Sequence, residues 1–525
     1  MDVATSSAVL LLTILAVIVL IPLLAFSLFA VKILIGKSIG DPGYPPVKGT
    51  VFHQAFYLNR LYDRQTEDAK RNPTFRLLAP SHSDVYTVDP RNTAFDRYSK
   101  GEYNREIMTD FLGEGIFMVD GDRWRQQRKL ASFEFSTRVL RDFSCSVFRK
   151  NAARLVRVLG EMAARGMDFD MQDFDSIFKV GFGVDLNCLE GSYKEGTDLM
   201  KAFDEANALI YRRYVDPLWR LKRYFNMGTE ASLRKDIETI DAFVFQLIRT
   251  KRDLLEQRRG RSDKEDILSR FLLEGDKDPE KMNDKHLRDI ILNFMLAGKD
   301  STANSLSWFL YVLCKNPLVQ ETIFHEIVDA VVEGLDPPET GSGADGPEDQ
   351  FVTKITESAL DHMHYLHAAL SETLRLYPAI PMWYTKSTND GRCAEVDDVL
   401  PDGYKVKKGD GVYNMTYAMG RMKSLWGDDA EDFKPERWLK DGIFRPESPF
   451  KFAAFNAGPR ICLGKEFAYK QMKIVSIALL RFFRFKLADE GRTVTYRTMF
   501  TLHIKGGLHL NAVPRTRLCR RQDVH

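Results

Sequence analysis

The sequence predicts a mainly α-helical protein with small β-sheets, folded as one large domain behind an N-terminal transmembrane helix. Three observations predict it. Apolar residues recur at three- and four-residue spacing through most of 105–335, the period of helices with one buried face. Strand-like pieces stand within 54–88, from about 380 to 415 and at the C-terminal end. An uncharged apolar run from Ala8 to Val31 opens the chain.

That run comes first. At about 1.5 Å per residue it exceeds the roughly 30 Å hydrocarbon core of a bilayer. A cleaved signal peptide would carry a basic start and a shorter apolar core; here Asp2 precedes the run, and the next charge is Lys32. Pro22 is expected to kink or bend the helix. Lys32 and Lys37 follow it, and the positive-inside tendency then places the remainder in the cytosol. Residues 1–37 are read as the anchor and 38–50 as a Pro-rich hinge, with Asp-Pro-Gly-Tyr-Pro-Pro at 41–46 as a stiff extended spacer. Residues 51–525 are read as the one large folded domain.

Within that domain, a charged stretch at 250–270 reads as a solvated helix face and loop. Residues 334–350 are rich in Pro, Gly and acids and read as a surface loop. A helix follows, then the strands of 380–415. A last long helix begins near 462. The closing segment, 494–513, alternates around Gly506-Gly507 and predicts a hairpin there.

The 525 residues are 44% apolar and 28% charged, a balance that excludes mainly disordered, collagen-like and coiled-coil chains. Seventy-five basic residues against 73 acidic ones leave +2, which argues against a nucleic-acid partner. Six scattered cysteines, Cys145, Cys188, Cys314, Cys393, Cys462 and Cys519, are too few for a disulfide scaffold. Neither a CxxC pair nor a Cys/His cluster points to zinc. Reduced thiols facing the cytosol are the expectation.

Cys462 differs from the other five. It lies in Phe455-Asn-Ala-Gly458-Pro-Arg460-Ile-Cys462-Leu-Gly464, directly before the last helix. Gly458 and Gly464 permit close backbone approach. The helix N-terminus favours a thiolate, and Arg460 can meet an anionic group. A thiolate held on such a turn suits axial ligation of haem iron. A buried structural cysteine is the plainer account of Cys462 alone; the ten-residue pattern argues against it.

This FxxGxRxCxG pattern resembles the haem-binding signature of the cytochrome P450 family, and the resemblance extends over nearly the whole chain. It implies the cytochrome P450 fold, haem b (iron protoporphyrin IX) as cofactor, and Cys462 as the iron's axial ligand, with Phe455, Gly458, Arg460 and Gly464 around it. Ala297-Gly298-Lys-Asp300-Ser301-Thr302 resembles the family's oxygen-activating segment. Small Ala297 and Gly298 let a helix pass close to the haem and loosen the local hydrogen-bond ladder. Asp300 and the hydroxyls of Ser301 and Thr302 are the candidate catalytic residues, in a general-acid role. The family usually has Thr where Ser301 stands, so serine keeps the hydroxyl without the methyl. Trp124 and Arg128 match a WxxxR motif that meets a haem propionate, together with Arg460. Glu372 and Arg375, three apart on one helix face, and Arg437 of Pro435-Glu-Arg437-Trp match the family's structural charge triad.

Segments 111–136, 179–185, 399–403 and 417–422 resemble plant fatty-acid ω-hydroxylases, most closely the cytochrome P450 704 branch. That implies long-chain fatty acids hydroxylated at or near the terminal methyl, as in cutin, suberin or pollen-wall lipid metabolism. A narrow apolar channel is then required, with Phe117, Phe294, Ala297, Ile380, Met382 and Leu502 as candidate lining. The chain departs from the family pattern in three places: it is short between Pro90 and Phe95 and between Asp173 and Phe174, and Trp383 to Asn389 looks inserted beside the pocket.

The expected activity is O2-dependent monooxygenation. Electrons come from NADPH through a separate cytochrome P450 reductase, since no GxGxxG nucleotide unit is visible. Basic stretches near the haem would dock an acidic reductase surface. The expected place is the endoplasmic reticulum membrane, single-pass, with the catalytic domain cytosolic. No obligate oligomer is predicted. Two rivals remain: a reductase-independent, hydroperoxide-rearranging enzyme of the same fold, which would not need Asp300 and Ser301, and a haem-poor, inactive splice or gene-model variant.

Overall fold

The uncharged run forms one continuous helix, Val3–Leu34, passing through Pro22. Its segment Leu11–Leu34 is long and apolar enough to cross a membrane, and its most apolar window buries nothing against the rest of the protein. The computed structural model describes residues 3–80, 82–93, 98–99, 102–136, 138–171, 194–257, 267–275, 283–332, 346–387 and 397–515. Of the stretch from Pro90 to Phe95, Pro90–Thr93 forms a four-residue helix and 94–97 lie outside these residues, as do the position after Asp173, 258–266 and most of the 334–350 segment.

The helical periodicity is realised in long helices, Arg138–Ala164, Lys194–Arg212 and Thr229–Gln257 among them. A central helix is built from Asp284–Met295, a π-turn at Leu296–Asp300, and Ser301–Lys315. Nearly every side chain from Thr302 to Leu313 is buried. An all-round apolar helix must lie inside a fold of this size, and this one packs against His364–Leu376 and Lys465–Phe482. Phe111, Phe203, Phe309, Leu374 and Ile477 belong to the single large core around it.

Among the described residues the strands form five sheets, the two larger of six and three strands. The larger is mixed and orders its strands Val47–Thr50, Thr74–Leu78, Ser83–Thr87, Gly411–Asn414, Trp383–Ser387 and Tyr98–Ser99. Trp383–Ser387 is thus an interior strand, bonded to Gly411–Asn414 on one side and Tyr98–Ser99 on the other; residues 388 and 389 lie outside the described set.

Two sequence expectations are corrected here. The hinge is not a free spacer. Val47–Thr50 joins the large sheet, and the fully buried Arg76 guanidinium donates to the carbonyls of Lys37, Ser38 and Pro45 at 2.8–2.9 Å. A guanidinium has five donors, and these carbonyls take three of them. Nor does Gly506-Gly507 turn a hairpin. Tyr496–Arg497 pairs with His503–Ile504, while His509–Pro514 pairs with Phe483–Leu487 in the second sheet. Gly507 sits at φ +75°, and a side chain there would begin 1.9 Å from the Asp170 carboxylate. The glycine pair therefore passes the chain between sheets beside Asp170.

The charge triad stands behind the future site. Glu372 and Arg375 are buried, bonded twice at 2.7 Å. Arg437 Nε reaches Glu372 at 3.4 Å, and Trp438 Nε1 and the Lys434 amide donate to it at 2.9 Å. Arg375 also donates to the carbonyls of Gly420, Ala430 and Asp432. Removing one partner of a buried pair leaves an uncompensated charge and costs about 3–5 kcal/mol. Glu372→Ala should lose about that much in denaturant unfolding of the detergent-solubilised protein, or fail to accumulate folded. Wild-type stability in this variant would remove the triad from the account.

Candidate functional site

The Cys462 segment folds as the glycine positions require. A short turn at Ala453–Phe455 is followed by Asn456 at φ +61° and Gly458 at φ +64°. Gly458 has open space around it, so its need for glycine is conformational. The Cys462 amide donates to the Phe455 carbonyl at 2.8 Å, which closes the loop. Gly464 then starts the helix Lys465–Phe482. Cys462 is exposed, and it lines a cavity. Desolvation by the surrounding protein pushes its pKa up, while the Gly464 N–H, Arg128 and Lys465 pull it down. The N-terminal amide expected to favour a thiolate is therefore in place.

The central helix also lines the cavity, through Leu296, Ala297, Gly298, Ser301, Thr302 and Ser305. The π-turn covers the small residues, the local loosening that Ala297 and Gly298 imply; such turns recur at functional sites. Ser301 Oγ donates to the Ala297 carbonyl one turn back, and Ser305 Oγ to the Ser301 carbonyl at 2.6 Å. Thr302 is buried and faces the cavity.

Asp300 does not join them. Successive helix residues point about 100° apart, and Asp300 turns away from the cavity into a buried polar cluster. Asn207 Nδ2 donates to its Oδ2 at 3.0 Å and Thr501 Oγ1 at 3.4 Å; Lys299 Nζ lies 3.2 Å from Oδ1 and also pairs with Asp204 at 2.7 Å. Burial raises the pKa of Asp300, with Lys299 opposing. The expected relay partners thus stand on adjacent faces, the hydroxyls at the cavity and the acid behind them.

Trp124 and Arg128 lie on the helix Gly121–Ser136 and both line the cavity near Cys462. Arg128 donates to the Ile461 carbonyl at 2.8 Å and covers the Trp124 ring. Among the described residues it has no carboxylate partner. Arg460 departs from expectation: it also stacks on Trp124, yet it is neutralised by Asp120 at 2.6 Å. Asp120 was invisible as a partner because only the fold brings it beside Arg460. Asn293, missed in sequence, lines the cavity and bonds Leu112 and Phe117; a lone amide within the apolar run 290–297 was the available signal.

Of the channel candidates, Phe117, Phe294, Ala297, Ile380 and Met382 line the cavity. Leu502 does not. It is fully buried in the core, its carbonyl accepts from Trp308 Nε1, and Phe500 takes its place. These residues suit an iron porphyrin. A thiol donor, small residues and an unpaired guanidinium beside an aromatic ring meet its metal, its flat face and an acidic substituent.

Known proteins agree. The cytochrome P450 family profile matches residues 71–510. Cytochrome P450 704C1 of Pinus taeda is 49% identical over 490 residues, 90% of this chain and 92% of that protein. Cytochrome P450 704B1 of Arabidopsis thaliana is 40% identical over 511 residues, 91% and 96%. Cytochrome P450 86B1 of Arabidopsis thaliana is 38% identical over 464 residues, 85% and 80%. The chain belongs to the cytochrome P450 family of haem-dependent monooxygenases, within the relationship to its 704 branch that the sequence motifs indicate.

Proposed function

We propose that this monooxygenase hydroxylates long-chain fatty acids, free or as neutral derivatives, at or near the terminal methyl. The observation that carries the reading is the cavity: apolar side chains of Phe117, Phe294, Ile380, Met382 and Phe500 line it together with Cys462, Ala297 and Gly298. Such a lining offers a methyl end burial at about 25 cal/mol per Å2 and no polar contact. The resemblance to plant ω-hydroxylases supports the same substrate class. The overall reaction takes a terminal C–H, O2, NADPH and a proton to an alcohol, water and NADP+. Family members draw electrons from a redox partner; here NADPH–cytochrome P450 reductase is proposed, with the single-pass anchor of residues 1–37 holding a cytosolic domain at the endoplasmic reticulum.

When bound through Cys462, haem supplies the oxygen-activating chemistry. The chain's own residues do the rest. Arg128 holds an acidic substituent of the cofactor. Thr302 and Ser301 place hydroxyls at the cavity, and the Asp300 carboxyl, whose pKa burial raises, resupplies protons to them by leaving Asn207. Apolar walls exclude water from the reacting carbon.

Two outcomes follow. Purified protein with reductase, NADPH and a long-chain fatty acid or its alcohol should give the terminally hydroxylated product, and Asp300→Asn should lower product formation about a hundredfold, the usual scale of a general acid, with substrate binding unchanged. Full turnover by Asp300→Asn, or turnover without NADPH, would contradict the assignment. Arg128→Ala should speed haem loss to apomyoglobin roughly ten- to a hundredfold, since a charge-assisted hydrogen bond contributes about 1.5–3 kcal/mol. Unchanged loss would leave Arg128 without its role.

A further inference from the structure

Part of the cavity wall is a loop, the segment between the helices Glu102–Leu112 and Gly121–Ser136. Loops are by default the mobile and variable parts of a fold. This one begins Gly113-Glu-Gly115-Ile-Phe117, and its two glycines add backbone freedom. Ile116 and Phe117 nonetheless line the cavity. A wall built on such a segment keeps its shape only if something holds it.

The central helix holds it. Asp289 and Asn293 stand four apart on Asp284–Met295, on one face, and both are buried. Asp289 Oδ2 accepts from the Glu114 amide at 2.8 Å. Asn293 Oδ1 accepts from the Phe117 amide at 3.1 Å, and its Nδ2 donates to the Leu112 carbonyl at 2.9 Å. The fit leaves no room between loop and helix. A side chain at Gly113 would begin 2.0 Å from Asp289 Oδ1, and one at Gly115 would begin 2.0 Å from Asn293 Nδ2. Here the glycines serve close contact, and the loop lies directly on the helix. Asn293 precedes Ala297 by four residues, about 6 Å of rise, and both line the cavity. The Phe117 backbone is thereby tied about one helical turn from Ala297.

Where a fatty chain is hydroxylated depends on which C–H is held at the reacting site. Methylene C–H bonds are weaker than methyl ones, so attack at the chain end requires a wall that keeps the chain interior away. An aromatic ring can be that wall only while its backbone does not yield. We propose that Asn293 is a positioning residue for the regiochemistry of the reaction: by fixing the Phe117 backbone near Ala297, it makes the Phe117 ring a rigid constriction that admits the end of a chain and turns away its interior. The proposal rests on the fatty-acid reading above and adds what sets the position of attack.

The test compares full-length wild type, Asn293→Ala, Phe117→Ala and the double variant, each haem-loaded in detergent, by two readouts. The first is the ratio of terminal to in-chain alcohols formed from palmitate and from hexadecanol with reductase and NADPH. Asn293→Ala and Phe117→Ala should each lower it about tenfold, the scale of one buried hydrogen bond acting on two competing barriers. The double variant should fall no further than Phe117→Ala, because Asn293 acts through Phe117. The second is hydrogen–deuterium exchange, which needs no turnover: amides of 113–117 should exchange at least about tenfold faster in Asn293→Ala than in wild type. An unchanged ratio or unchanged exchange in Asn293→Ala would overturn the proposal, as would effects that multiply in the double variant. Lower stability with the wild-type ratio, the mark of a merely structural residue, would overturn it too. Phe117→Ala leaves the backbone bonds in place, so its ratio decides where Asn293→Ala does not accumulate with haem; an unchanged ratio there also overturns the proposal. Each of these results leaves the fatty-acid reading standing. Wild type that holds thiolate-ligated haem and hydroxylates neither substrate would overturn that reading and this inference with it.

Discussion

A buried glutamate between two arginines sets the frame for the half of the protein that carries Cys462. Charges removed from water must be met by partners in good geometry, or the fold loses several kcal/mol. Glu372 is met by Arg375, Arg437, Trp438 and the Lys434 amide. Arg375 in turn collects carbonyls from Gly420, Ala430 and Asp432. The irregular path from 420 to 438 has little regular structure of its own, so these bonds define it. Gly420 is part of the constraint: a side chain there would begin 2.0 Å from the Arg375 carbonyl. The chain leaves this frame for the Cys462 loop, whose own closing bond runs from Cys462 to Phe455.

The central helix solves a second problem, which is to pass a core helix close to a reactive centre while keeping it buried. Ala297 and Gly298 remove bulk, and the π-turn there displaces the regular ladder. The same turn separates two functions on neighbouring residues. Ser301 and Thr302 face the cavity, whereas Asp300 is held by Asn207, Thr501 and Lys299. Asn207 belongs to the helix Lys194–Arg212, so the acid is tied to an element that also contributes Tyr211 to the cavity wall. The proposed proton supply and the cavity wall therefore share a physical connection.

Much of this was legible in the sequence, for identifiable reasons. The N-terminal apolar helix, the central helix and the final helix follow the apolar pattern. The Cys462 loop was legible because two glycines and a helix start leave few conformations, and the triad through the family resemblance, since a glutamate and an arginine three apart are common on helix surfaces. What was not legible depends on partners far apart in the chain. Nothing local tells that Asp120 will neutralise Arg460, that Asn207 will hold Asp300, or that Arg76 will fasten the hinge. Leu502 failed as a channel residue because alternation names a buried face without saying which buried space it meets. Gly506-Gly507 failed as a hairpin because a glycine pair marks a positive-φ passage, and only the second sheet decides where the chain goes next.

The central claim is that Cys462 is held as the thiolate ligand of haem iron. The most direct measurement is the reduced, carbon-monoxide difference spectrum of membranes expressing the full chain, beside Cys462→Ala at equal protein level. The account predicts a strongly red-shifted Soret band in the wild type and none in the variant. A red-shifted band that survives Cys462→Ala, or haem-replete wild-type protein without one, would contradict it.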